Sequence, residues 1–274
     1  QNETAPIPTA AKVALVDALS EAGYDEIEVS AFVSPKWIPQ LADASEVFAG
    51  IRRRPGVVYA ALVPNEQGLE RALEARAGKI AVFTAASETF NRKNINATIE
   101  ESIARFAPVV PRALDAGLRV RGYISTAFHC PYEGKIDPIA VVAVAKRLLE
   151  LGVEELSIGD TIGKATPEEV NDLLDRLLDA LPQDEIALHF HDTYGRAVAN
   201  ALAGYERGIT IFDASVGGVG GCPYAPGAAG NIATEDLAAA LLDAGATLSL
   251  DLAKVAVASD LLAAALGRRL RTPR

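Results

Sequence analysis

The sequence predicts an α/β fold, a (β/α)8 TIM barrel of parallel strands, on three observations. Short apolar, β-rich runs alternate with longer amphipathic stretches from one end of the 274 residues to the other, the pattern of strands joined by crossover helices. Gly23, Gly117, Gly152 and Gly208 each follow a helical stretch, where a left-handed cap favours glycine. No Gly-rich turn follows the first recognisable strand, so the dinucleotide fingerprint of an open, doubly wound sheet is missing.

Seven strands are predicted, at 26–30, 57–63, 79–84, 119–125, 155–159, 186–191 and 209–215. Apolar residues spaced three and four apart predict helices at 9–22, 40–53, 65–77, 99–116, 138–151, 167–180 and 195–207, and helical pattern resumes at 234 and runs to the end. Pro138 and Pro167 suit a first helical turn, with Asp137 and Thr166 before them as N-caps. Glu169, three residues after Thr166, has capping-box spacing. The chain opens on a helix, so a strand before Gln1 would complete eight strands and eight helices. Methionine is absent, and the chain is accordingly expected to lack an upstream part, its first strand included. With no linker, low-complexity segment or break in composition, 1–274 is expected to be one catalytic barrel domain.

Composition narrows the function. Half the residues are hydrophobic, enough for a substantial core, and no apolar run nears the roughly 20 residues of a membrane span. A net charge of −10 provides no basic face for phosphates, which argues against a nucleic-acid partner. Two cysteines, Cys130 and Cys222, are too few for a disulfide framework, and no signal peptide opens the chain, so a cytoplasmic setting is expected.

In a barrel of this kind, chemistry gathers at the C-terminal ends of the strands. The sixth predicted strand ends in HFHD, and alternation puts His189 and His191 on one face and Phe190 on the other. Two imidazoles at that spacing can ligate a metal or pair with one another in the core. Asp192 falls on the opposite face and reads as a cap for a helix from Tyr194. The next loop, 215–231, contains six glycines and Cys222; without a Gly-Lys-Ser/Thr it is no Walker loop, and it reads as a lid or an anion cradle. Asn231 and Glu235 read as N-cap and first-turn acid of the helix that follows. Glu28 in EIEVS and Asp160 in SIGDT are carboxylates at strand ends, where an ionised group needs a partner or a metal; turn capping is the plainer reading of Asp160.

Six stretches, FVSPKWIPQLADA, SETFNRKNIN, CPYEGKI, SIGDTIG, HFHDTYGRAVANAL and GGVGGCPYAPGAAGNIATEDL, together resemble the 3-hydroxy-3-methylglutaryl-CoA lyase family, over essentially the whole chain. The resemblance implies a barrel of the pyruvate-carboxyltransferase and HMG-CoA-lyase kind that binds a divalent cation, Mg²⁺ or Mn²⁺. It implies metal ligands at His189, His191 and Asn231, a catalytic cysteine at Cys222, and active-site acids at Glu28, Asp160 and Glu235. Contacts to an acyl-CoA substrate would fall near Asn94, Ser157 and Thr161. The implied reaction cleaves (S)-3-hydroxy-3-methylglutaryl-CoA to acetyl-CoA and acetoacetate, as in leucine degradation, and a homodimer is expected. The alternatives are a lyase or aldolase acting on another 3-hydroxyglutaryl-CoA or hydroxy acid, and a non-catalytic barrel that binds CoA esters. Three departures bear on this. The family's first strand ends in Arg-Asp-Gly-x-Gln-Asn-Glu, of which Gln1, Asn2 and Glu3 are present. Its aspartate would be a fourth ligand and its arginine would steady the enolate, so the chain from Gln1 is expected to bind metal weakly and turn over slowly. Ala31 stands where the family often has serine, and His129 where it usually has glycine.

Overall fold

The structure, a computed structural model, describes residues 6–221 and 230–270. Seven parallel strands form one curled sheet of the TIM-barrel type: β1 (Glu26–Ala31), β2 (Val58–Leu62), β3 (Lys79–Ala85), β4 (Arg119–Ser125), β7 (Glu155–Asp160), β8 (Ile186–Phe190) and β9 (Ile211–Asp213), paired in that order. Between β4 and β7 a short hairpin, β5 (His129–Cys130) with β6 (Gly134–Lys135), stands beyond the strand ends.

Period-two burial divides each strand. Outward residues such as Ile80, Val82, Ile124, Leu156, Ile158, Leu188 and Phe190 are buried beneath the helices, against Phe106, Leu148, Leu173, Leu174 and Leu177. This is the main apolar core, and it lies between sheet and helices rather than inside the barrel. Inward residues are largely polar: Glu26, Glu28, Lys79, Arg121, Tyr123, Glu155, Ser157, His189 and Asp213.

All seven strands lie at their expected places; the helices differ in detail. The single helix expected at 99–116 is two, Ile99–Phe106 and Val109–Asp115, because Pro108 has no N–H to continue the ladder. The stretch 40–53 holds a 3-10 turn, Pro39–Leu41, and a short helix, Ala44–Gly50. The last helical region is likewise two helices, Thr234–Asp243 and Leu252–Leu266, the second packing on the first helix of the chain, Thr9–Glu21. Helix Glu88–Ile95 had no apolar periodicity to announce it; Ser87 caps it by accepting from Phe90 N at 3.1 Å, and Asn96 closes it at φ 50°. The caps at Asp137 and Thr166 form as expected, the latter as a full capping box with Glu169.

Candidate active site

β8 and the segment after the glycine loop build the site together. Asp192 N donates to Gly230 O (3.1 Å) and Ile232 N to Phe190 O (3.0 Å), and His191 and Asn231 face each other as an antiparallel bridge. Asn231 therefore joins the histidines through backbone pairing and not as a helix cap, since helix Thr234–Asp243 is preceded by Ala233. This register requires glycine at 230: a Cβ there would lie 1.9 Å from Gly220 O and 2.2 Å from Gly218 O.

His189 and His191 point the same way, with ring centroids 5.2 Å apart. His189 Nδ1 lies 3.3 Å from Asp213 Oδ2. Burial, and then the neighbouring His189, lower the pKa of His191 to about 3, so its imidazole is neutral at pH 7, the form that can ligate a cation. His191 Nδ1 is buried without a hydrogen-bond partner, and so is Asn231 Oδ1, while Asn231 Nδ2 donates to Val219 O at 2.9 Å. Unpaired buried polar atoms are costly. Two of them on facing residues, one a ring nitrogen and one an amide oxygen, fit a cation that accepts nitrogen and oxygen donors. Among the described residues no group of three or more His, Cys, Asp and Glu could hold a metal ion, so the donor set depends on the Asn231 amide.

Glu28 lies on the inner face of edge strand β1 and accepts from the Tyr123 hydroxyl at 2.8 Å. Enclosure by the barrel wall raises its pKa, against the Tyr123 hydrogen bond and the Arg121 charge, which lower it. Glu28 is also exposed among the described residues, and solvent there limits the rise.

The family model described as HMGL-like matches residues 1–262. The chain belongs to the HMGL-like family. It is 54% identical over 237 residues to the 3-hydroxy-3-isohexenylglutaryl-CoA/hydroxy-methylglutaryl-CoA lyase of Pseudomonas aeruginosa, covering 86% of this chain and 79% of that one. To the mitochondrial hydroxymethylglutaryl-CoA lyase of Rattus norvegicus it is 49% identical over 269 residues, 98% of this chain and 83% of the relative. The solved structure of an HMG-CoA lyase from Acinetobacter baumannii in complex with coenzyme A and 3-methylmalate superposes with a TM-score of 0.95 at 39% identity, covering 99% of this chain and 89% of that one.

Not every residue marked by likeness to the HMGL-like family lies at the histidine pair. Asp160 pairs with Phe190 in register, whereas Gly159 pairs with His189, so Asp160 points to the outer face. Its two oxygens accept from Lys164 N and Ala165 N, each at 3.0 Å, the turn-capping geometry. Burial pushes its pKa up to about 6, against those two N–H groups. The loop it holds includes Gly163 at φ 68°, where a Cβ would lie 2.6 Å from His191 O; Asp160 thus reaches the histidines through backbone. Thr161 Oγ1 accepts from Thr126 N at 2.7 Å, steadying a threonine with φ 52°. Ser157 lies on the inner face and donates to Asp213 Oδ2 at 2.7 Å. Glu235, in the first turn of its helix, accepts from Gly217 N at 3.0 and 3.2 Å and anchors the start of the glycine loop. Asn94 is exposed on helix Glu88–Ile95. Asp192 Oδ1 accepts from Ala197 N at 3.2 Å, but the next helix begins at Ala197 and not Tyr194, and its N-cap position is Arg196 and not Asp192. Cys222 lies outside the described residues.

Sequence reasoning passed over Asp213, Arg121, Tyr123 and Lys79. The available signal was charge inside strands: KIAVFT, RVRGYIS and IFDAS each place ionisable residues on the face that alternation turns inward.

Proposed function

We propose that this chain is a metal-dependent carbon–carbon lyase that cleaves (S)-3-hydroxy-3-methylglutaryl-CoA to acetyl-CoA and acetoacetate. One observation carries the reading of the site: His189 and His191 converge on the inner face of β8 while His191 Nδ1 and Asn231 Oδ1 stay buried and unpartnered. His189, His191 and Asn231 would hold Mg²⁺ or Mn²⁺, which when bound polarises the tertiary hydroxyl and free carboxylate of the substrate. Around it the chain's own groups move protons. Glu28, with its raised pKa and its hydrogen bond from Tyr123, accepts the hydroxyl proton. The C2–C3 bond then breaks, its electron pair passing to the thioester fragment as an enolate and leaving acetoacetate as the ketone. Cys222 supplies the proton that turns the enolate into acetyl-CoA. Asp160 and Glu235 act through backbone, holding loop 161–165 and the start of the glycine loop; contacts of Ser157, Thr161 and Asn94 with the acyl-CoA rest on likeness to the family.

The test is product analysis of the full-length protein with Mn²⁺. Acetoacetate and acetyl-CoA in equal amounts are expected; no product would overturn the reading and favour a non-catalytic CoA-ester barrel. Cys222→Ala is expected to lower turnover sharply with metal content near that of wild type, and unchanged turnover would remove Cys222 from the mechanism. A second substrate belongs in the panel: the Pseudomonas aeruginosa relative is named for an isohexenyl substrate as well, and faster cleavage of that ester would reassign the acyl specificity. One catalytic domain over 1–274, cytoplasmic residence, a homodimer and service in leucine degradation complete the proposal; the single domain rests on the unbroken composition of the chain, cytoplasmic residence on its having two cysteines, and leucine degradation on likeness to the family.

A further inference from the structure

The barrel interior holds a chain of charged groups for which the lyase reading has no use. Lys79 Nζ lies 2.7 Å from Glu26 and 3.0 Å from Glu155; Glu155 lies 2.6 Å from Arg121 Nε; Arg121 Nη1 lies 2.7 Å from Asp213 Oδ1. Lys79, Arg121 and Glu155 are buried at 1%, 6% and 6% exposure, so each charge depends on its partners. The chain ends at Asp213, whose other oxygen, Oδ2, meets the Ser157 hydroxyl at 2.7 Å and His189 Nδ1 at 3.3 Å. Asp213 and His189 sit opposite one another in the register of β9 and β8.

We infer that Asp213 is a positioning residue that fixes His189 in the Nδ1–H tautomer, with the Nε2 lone pair left for a ligand, and that Arg121 locks the carboxylate in the orientation this needs. The inference rests on the reading of His189 as a metal ligand and adds what makes it one. An ionised carboxylate only accepts hydrogen bonds, so a neutral imidazole beside it must place its proton on Nδ1. With Oδ1 tied to Arg121 and Oδ2 to Ser157, the carboxylate cannot turn away. The Arg121 guanidinium, 2.7 Å from Oδ1, keeps the carboxylate ionised. His191 has no such partner, its Nδ1 being unpaired; the two histidines are therefore not equivalent.

Asp213→Asn tests this, because Arg121 dictates how the amide sits. The guanidinium requires an acceptor, so the Asn oxygen faces Arg121 and the NH2 faces His189, whose proton must move to Nε2. Long-range ¹H–¹⁵N NMR of the metal-free protein reads the tautomer; the chain has three histidines, and His189→Gln assigns the signals. The wild type is expected to show Nδ1–H at His189 and Asp213→Asn to show Nε2–H, with Mn²⁺ affinity falling about 10–100-fold as for other groups that orient a ligand. A wild type with the proton on Nε2 overturns the inference, as does an Asn variant with unchanged tautomer and affinity. The wild-type spectrum needs no variant, so it decides even if the substitution unfolds the barrel. Failure of the lyase reading shows separately, as absence of acyl-CoA cleavage, and leaves the tautomer readout intact.

Discussion

β7 and β8 are neighbours that each end in a titratable group, and the two ends do different things. Gly159 pairs with His189, so His189 turns to the barrel interior beside Asp213; Asp160 pairs with Phe190, so Asp160 turns out toward the helices and caps a loop. Both residues are polar and both stand at a strand end. One residue of register separates them, because successive side chains take opposite faces of a sheet. Position at a strand end therefore nominates a residue for chemistry, and register decides.

The largest effect that could break this contrast is on the inner face. His189→Ala or His191→Ala is expected to lower kcat/KM by more than about 100-fold, exceeding the cost of losing a group that merely orients a ligand, with the unfolding midpoint in urea little changed. Activity within threefold of wild type would place the site elsewhere. On the outer face of β8 the reverse is expected: Leu188→Ala, at a position 1% exposed, should cost about 2–5 kcal/mol of stability and leave KM unchanged once folded. Urea denaturation and steady-state kinetics on the same samples separate the two.

How much of this could be read beforehand depends on how local its cause is. The strands, the histidine pair and the caps at Asp137 and Thr166 follow from alternation and from a side chain reaching backbone two or three residues away. The break at Pro108 was legible in principle, since proline cannot donate; helix Glu88–Ile95 was not, because its exposed face and polar residues leave no apolar stripe. In the site, Asn231 joins His191 through strand-like pairing across the glycine loop, and only likeness to a family pointed there. Asp213, Arg121 and Lys79 find their partners across the barrel, a contact that no spacing along the chain encodes.

Smaller effects sharpen the role of Asp160. Its folded pKa of about 6 lies above the ordinary 3.8, so between those values the native state binds more protons than the unfolded state. Stability from this group is present below pH 3.8 and is lost as pH rises through 6. A difference of about two units corresponds to at most about 3 kcal/mol. Asp160→Asn is expected to remove that slope, seen as a gap between the stability–pH curves of variant and wild type that changes across pH 4–6 and is flat above 7; a constant gap throughout would show that the carboxyl does not titrate in this range. The smallest effect is expected at Thr166→Ala, which deletes one half of the capping box on helix Pro167–Leu178 and should cost about 1 kcal/mol by urea denaturation, without changing kcat.

The central claim is that the inner face of β8, with Asn231 beside it, makes this chain a metal-dependent lyase. Acetoacetate release from (S)-3-hydroxy-3-methylglutaryl-CoA by the full-length protein, followed through EDTA treatment and readdition of Mn²⁺, tests it most directly. Release that stops with the chelator, returns with Mn²⁺ and fails to return in His191→Ala is the predicted result. Release indifferent to the chelator, or equal in His191→Ala, would contradict the account.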